Sequence, residues 1–199
     1  MKIAPLGICL SGQLAAIFHL PLHAQVLMSS ATESELIHAT RPPPEVVKLI
    51  LHGETQDNLL FNECLRSSRE HGMSANRFFS SRRIDLNGDE LPDYFVRPAL
   101  QPYCSAFYGA HLFRYWLVVG VRKNAKTDYQ IVFAYGGDEV RVLRHRSNGY
   151  RDLELFGHTA EWEARSTWHY DGKRYVSTAC SIRNIDPENK AKISCETAE

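Results

Sequence analysis

From Phe78 onward this chain is a succession of β-branched and aromatic runs cut by turn-forming residues, and that pattern constrains its fold more than any other feature. One strand ends at Arg83-Ile84-Asp85-Leu86 and the next begins at Tyr94-Phe95-Val96. His111 to Arg122, Tyr129 to Tyr135, Glu139 to Leu143, Tyr150 to Phe156, Trp162 to Tyr170 and Arg174 to Ala179 follow as further strands. Such side chains suit a pleated, half-buried surface. Between the runs stand Lys123-Asn124-Ala125-Lys126, Gly136-Gly137, Asn148-Gly149 and Asp171-Gly172. Asp171-Gly172 is the strongest hairpin signal, because Asp-Gly accepts the positive φ of a type I′ turn. Successive strands joined by short turns predict an antiparallel meander.

Ahead of the strands the apolar period is helical. Arg41-Pro42-Pro43-Pro44 is a stiff spacer that ends any preceding helix. Val46, Val47, Ile50 and Leu51 then repeat at helical spacing, with Gly53 placed to close the helix. A second helix is expected over Gln56 to Arg69, turning Leu59, Leu60, Cys64 and Leu65 inward. The expected fold is α+β: two short N-terminal helices packed on a twisted antiparallel β-meander. Residues 44–199 form the single domain, behind a flexible Pro-rich lead over 25–43 and a signal peptide over 1–24.

The N-terminus reads as a secretory signal: Met1-Lys2, then a mostly apolar Ile3 to Leu22, then Leu22-His23-Ala24 as the cleavage position. Ser29-Ser30-Ala31 is a second candidate cut. Pro5, Gly12, Gln13 and His19 weaken the stretch as a permanent membrane span. Ile8, where a small residue is required, rules out lipid attachment at Cys9. Processing leaves 175 residues carrying 22 basic and 23 acidic side chains. That balance, with no dense basic face, argues against nucleic acid and anionic membranes as partners. A periplasmic or secreted location follows. Cys64, Cys104, Cys180 and Cys195 then make two disulfides, for which three pairings exist. Cys180–Cys195 is preferred because it pins the polar tail to the last strand, and Cys64–Cys104 would then tie the second helix to the sheet.

Asp85-Leu86-Asn87-Gly88-Asp89-Glu90-Leu91-Pro92-Asp93 is the clearest candidate site. Asp85, Asn87, Asp89 and Asp93 put oxygen donors at positions one, three, five and nine, and Leu91 adds a backbone carbonyl. Ca²⁺ takes six to eight such hard ligands, so Ca²⁺ is the candidate cofactor. An EF-hand is excluded, since position six is Glu90 rather than glycine and position twelve is Val96 rather than glutamate. The competing reading is a polar turn whose Asp and Asn side chains bond their own backbone.

Other chemistry is sparse. His38, His52, His71, His111, His145, His158 and His169 remain after processing, none at i, i+2 or i, i+4 spacing from another, so a zinc site would need distant segments. His169 and Asp171 straddle a turn without an identifiable nucleophile. No nucleophile elbow, phosphate loop or His-Glu-x-x-His helix occurs. Tyr103, Phe107, Tyr108, Phe113, Tyr115 and Trp116, with Trp162 and Trp168, supply aromatic surface either for the core or for partner contact.

Residues 83–97 resemble the β-hairpin calcium loop of FG-GAP or VCBS-type repeats, Asp-x-Asn-x-Asp-Gly-x-x-Asp, departing from it at Glu90. The chain is also similar to small uncharacterised exported bacterial proteins through Asp85 to Val96, Arg141-Val142-Leu143, Asn148 to Glu154 and Tyr170-Asp171-Gly172-Lys173-Arg174-Tyr175. That resemblance implies architecture and carries no activity. Where those proteins have a cysteine-rich stretch before the long strand, this chain keeps only Cys104. Together these readings point to an exported, non-enzymatic binding module recognising a protein partner in the cell envelope, such as an inhibitor or immunity factor for an envelope hydrolase. Two alternatives stand beside it: a calcium- or glycan-binding structural module of the envelope, and an enzyme whose dispersed site uses His111, His145 or His158.

Overall fold

The computed structural model describes residues 26–56, 58–108 and 113–185. The expected signal peptide and its cleavage site therefore lie outside the described residues. Strands take up 51% of the structure and helices 19%. The elements run β1 (Val26–Ala31), α1 (Pro44–Glu54), α2 (Leu59–Glu70), β2 (Phe79–Ile84), β3 (Asp93–Pro98), β4 (Phe113–Lys123), β5 (Lys126–Gly137), β6 (Glu139–Ser147), β7 (Tyr150–His158), β8 (Trp162–Tyr170) and β9 (Tyr175–Asn184).

The layering follows from β4, whose side chains are buried on both faces. Tyr115, Leu117 and Val119 enter one core; Trp116 and Val118 enter another. A strand apolar on both sides needs a covering layer on each. The sheet β2-β3-β4-β5 accordingly lies in the middle, with α1 and α2 on one face and the sheet β1-β6-β7-β8-β9 on the other. Every pairing in both sheets is antiparallel. The chain changes sheet at Asp138, the single residue between β5 and β6. Its carbonyl accepts from the Thr32 amide at 2.8 Å and its amide donates to Phe156 at 2.7 Å, so this corner is anchored on both sides.

The expected α+β fold, two N-terminal helices on one meander, is thus corrected. The strands divide into two sheets, because helices on one face cannot also cover Leu117 and Phe95 on the other. Nor are the helices N-terminal: β1 precedes them and pairs with β6, from Val26 opposite Leu143 to Ala31 opposite Glu139. Met28 and Leu36 are buried in the sandwich core, and Thr40 bridges to Ser81.

Helix α1 starts on Pro44 with Glu45 in its first turn and buries Val46, Val47 and Ile50. It runs through Gly53 to Glu54, so that glycine does not close it. Asn58 caps α2 by accepting from the Phe61 amide at 3.0 Å. Phe61, wholly buried, meets Phe107 at 4.6 Å and Phe79 at 6.2 Å between centroids, each such side chain contributing about 1.5–3 kcal/mol of burial. Leu59 and Leu60, expected inside, are 81% and 55% exposed, because Phe61 and Leu65 define the inward face. The Cys64–Cys104 disulfide forms, tying α2 to the segment after β3. Cys195, expected opposite Cys180, lies outside the described residues. Paired positive φ values occur at Asn148-Gly149, 52° and 82°, and at Asn124-Ala125, 50° and 62°, whereas Asp171 keeps negative φ and its carboxylate accepts the Lys173 and Arg174 amides. Among the described residues no helix is long and apolar enough to cross a membrane.

Candidate functional site

Two regions combine exposed chemistry with a built geometry: the Asp85–Asp93 loop and a groove between the open edges of the two sheets. The loop joins β2 to β3 and lies against the β6–β7 hairpin. Asp85 Oδ1 accepts from the Gly88 amide, and Oδ2 from Arg146 Nη2 at 3.1 Å. Arg151 Nε donates to the Asp85 carbonyl at 2.8 Å. Asp89 accepts from the Leu91 amide at 2.9 Å and from Asn87 Nδ2 at 2.7 Å, while Asn87 Oδ1 takes the Asp89 amide at 3.1 Å.

Asp93 has turned fully inward. Its Oδ2 accepts from the Leu86 amide at 2.9 Å and its Oδ1 from the Gly120 amide at 3.0 Å, pinning the loop to β4. Burial raises its pKa to about 6 despite both N–H bonds, with the charges of Asp89 and Asp85 adding to the rise. Gly120 permits this approach: a Cβ there would sit 3.0 Å from the Pro92 carbonyl oxygen.

The five residues read as calcium ligands are therefore brought into one loop, but each carboxylate oxygen already accepts a hydrogen bond. The neighbouring positive charge comes from Arg146 and, at 4.0 Å from Asp85 Oδ2, from Arg151. Arg146 Nη1 would lie 3.0 Å from a Cβ on Gly88. As folded, the donors do not encircle an ion, and a calcium would enter only by displacing Arg146 from Asp85. Glu90, standing where the repeat pattern has glycine, adopts φ 65°.

Of the three histidines considered for catalysis, His111 lies outside the described residues. His158 Nδ1 contacts Asp138 Oδ2 at 2.6 Å, and that oxygen also accepts the His158 amide. His145 Nδ1 contacts Asp152 Oδ2 directly. Of the aromatic cluster, Phe107, Tyr115 and Trp116 are core, while Tyr103 is 59% exposed and stacks on Tyr108.

The groove has a volume of about 510 Å³ and lies between β5 and the β8–β9 hairpin. Phe133, Tyr135, Trp168 and Tyr175 give it an aromatic lining, and Arg174 and Ser177 supply polar atoms. Trp168 packs at 5.3 Å from Phe133 and 4.9 Å from Tyr135, so the lining is a rigid extension of the sandwich core. Gln130 Nε2 reaches the Lys173 carbonyl at 3.5 Å, a contact between the two walls. Among the described residues, β5 and β9 are edge strands, each paired on one side only. The sequence pointed to Trp168 alone among these residues. Which strands are edges is a property of pairing, and no local signal in β5 or β9 announces it. Compared with protein-family models, curated proteins and solved structures, the chain matches none.

Proposed function

We propose that this chain is an exported, non-enzymatic binding module that takes an extended segment of a cell-envelope protein along the open edge of β5. The observation that carries this reading is the juxtaposition of two one-sided strands across an aromatic-lined groove. An edge strand offers a row of backbone N–H and C=O groups, and an added strand satisfies them while its alternate side chains enter adjoining pockets. The aromatic lining is already held by core packing, so little side-chain freedom is lost on binding. The Cys64–Cys104 bond is compatible with an oxidising compartment and hence with partners there. An inhibitor or immunity factor for an envelope hydrolase is the role that suits such a module, because occupying an enzyme's loop requires recognition and no chemistry.

The test is capture of envelope proteins by the wild-type chain and by Ser177→Trp, which fills the groove from the β9 side. A partner recovered at one-to-one ratio by the wild type and lost with Ser177→Trp supports the reading. A partner retained equally by both, or none at all, defeats it.

A further inference from the structure

The outer face of the five-stranded sheet carries a second cluster, well apart in character from the aromatic groove. At Val142 and Arg146 of β6 the partners on β7 are Leu153 and Arg151, so Leu143, Arg144 and His145 together oppose the single residue Asp152. This bulge swings His145 over Asp152. From the other side, on β8, His169 Nε2 comes within 3.5 Å of the same Asp152 Oδ2, and the Ser147 hydroxyl donates to it at 3.2 Å. Three neighbouring strands thus aim two imidazoles and a hydroxyl at one carboxylate. Asp152 is only 3% exposed in its side chain, and its Oδ1 is buried with no hydrogen-bond partner. A buried carboxylate oxygen left unsatisfied costs free energy unless something supplies it with positive charge or a donor.

We propose that His145, Asp152 and His169 form a binding site for a divalent transition cation of the zinc class, which clamps β6, β7 and β8. Two imidazole nitrogens and one carboxylate are a donor set that suits Zn²⁺ and leaves a fourth position for water. One pair already has the spacing: ligand atoms about 2.0–2.1 Å from a tetrahedral zinc lie about 3.4 Å from one another, close to the 3.5 Å between His169 Nε2 and Asp152 Oδ2, whereas His145 is in direct contact with that oxygen and must move outward. As folded, no group of three or more His, Cys, Asp or Glu among the described residues is arranged to hold a metal ion, so the site requires a rearrangement at His145. His145 Nδ1 touches Asp152 Oδ2 directly. The His145 side chain is 72% exposed, so its ring has solvent space to turn away from Asp152 and admit the ion.

Zinc titration of the full oxidised chain, followed by calorimetry and by the visible spectrum of the Co²⁺ form, tests this. One ion per chain, tetrahedral Co²⁺ bands and a rise in melting temperature with added zinc are expected. His145→Ala, whose folding is checked by circular dichroism because it removes a partner of the buried Asp152, must weaken zinc by about 100-fold or more, as must His169→Ala. His71→Ala and His158→Ala, away from the cluster, must leave it unchanged. Absence of stoichiometric zinc, or zinc held equally by wild type and His145→Ala, overturns the proposal.

Discussion

Arg97 of β3 donates from Nη1 to the Ser30 hydroxyl of β1 at 2.9 Å, joining the middle sheet to the outer one through the core. The same guanidinium donates to the carbonyls of Ala31 at 2.8 Å, Ser34 at 2.7 Å and Thr32 at 2.8 Å, and is 1% exposed. Burial lowers its pKa, with Tyr115, Tyr108 and Glu35 opposing the shift. One planar fork therefore holds the end of β1 and the turn after it, residues 30–34, against the sandwich, a geometry lysine cannot reproduce. Arg97→Met should cost about 3–5 kcal/mol, since it strands several buried carbonyls. Arg97→Lys should fall between that variant and the wild type. Urea unfolding gives the magnitude, and amide exchange over residues 26–40 gives the location. Protection there that survives Arg97→Met would show that β1 is held by its pairing with β6 alone.

Asp93 gives the fold a pH dependence of definite sign. Its pKa stands at about 6 against an ordinary 3.8, so between those values the native state binds a proton that the unfolded chain has lost. Stability from this group is therefore greatest below about pH 4 and declines as pH rises to about 6, by something of order 2–3 kcal/mol. Asp93→Asn cannot ionise, and its amide nitrogen would face the Leu86 or Gly120 N–H, so it should be less stable without sharing that decline. Measured by urea unfolding from acid to neutral pH, the advantage of the wild type over Asp93→Asn should shrink as pH rises. An advantage that grows instead would mean that the two N–H bonds outweigh burial.

Glu90 carries the backbone strain of the same loop. At φ 65° a side-chain-bearing residue is disfavoured relative to glycine. Glu90→Gly should raise stability by about 0.5–1 kcal/mol, the relief of strain being partly offset by a more disordered unfolded state. Thermal unfolding at neutral pH is sufficient to check it. A lowered melting temperature would show that the Glu90 side chain holds the loop in ways its backbone does not reveal.

Particular residues mark what was legible in sequence and what was not. The strand segments and the Asp85–Asp93 loop could be read locally, since alternation and turn chemistry are local. That disulfides form was expected from compartment and count, and the observed Cys64–Cys104 bond followed from setting Cys180 against Cys195. The division into two sheets could not, because Tyr115 and Trp116 look alike in a strand whose two faces are both buried. Arg97 resembles any surface arginine until its carbonyl partners arrive from β1, a strand hidden in a segment read as a loose lead. His145 meets Asp152 and His169 only because a bulge in β6 realigns it, and bulges leave no clear mark in composition. The groove depends on β5 and β9 being edges, which is decided by which strands do not pair.

The loop's response to calcium should depend on Arg146. Its guanidinium bonds Asp85 Oδ2 and the Gly149 carbonyl, and it supplies the positive charge nearest the loop carboxylates. A cation must compete with it, so millimolar calcium should move the wild-type melting temperature little. Arg146→Met, which keeps the aliphatic stem, removes the nearer of the two guanidinium competitors and should give a calcium-dependent rise larger than the wild type's. Adding Asp85→Asn and Asp89→Asn should abolish that rise. Equal calcium responses in wild type and Arg146→Met would show that the guanidinium does not stand in for the ion.

Gly137 and Leu155 should be coupled. A Cβ on Gly137, the last residue of β5, would lie 2.6 Å from Leu155 Cδ1 and 3.0 Å from the Phe156 carbonyl oxygen. The chain passes from one sheet to the other immediately afterwards, at Asp138, so neither strand can yield without moving the corner that Thr32 and Phe156 anchor. Gly137→Ala should therefore cost about 1–3 kcal/mol by overpacking. Leu155→Ala, which empties part of a core site 6% exposed, should cost about 2–4 kcal/mol. In the double variant the new methyl occupies part of the vacated space, and the combined loss should be smaller than the sum by about 1 kcal/mol or more. Strict additivity would place the strain of Gly137→Ala on the Phe156 backbone rather than on the Leu155 side chain. A double-mutant cycle by urea unfolding separates the two, because the backbone contact persists whatever residue stands at position 155.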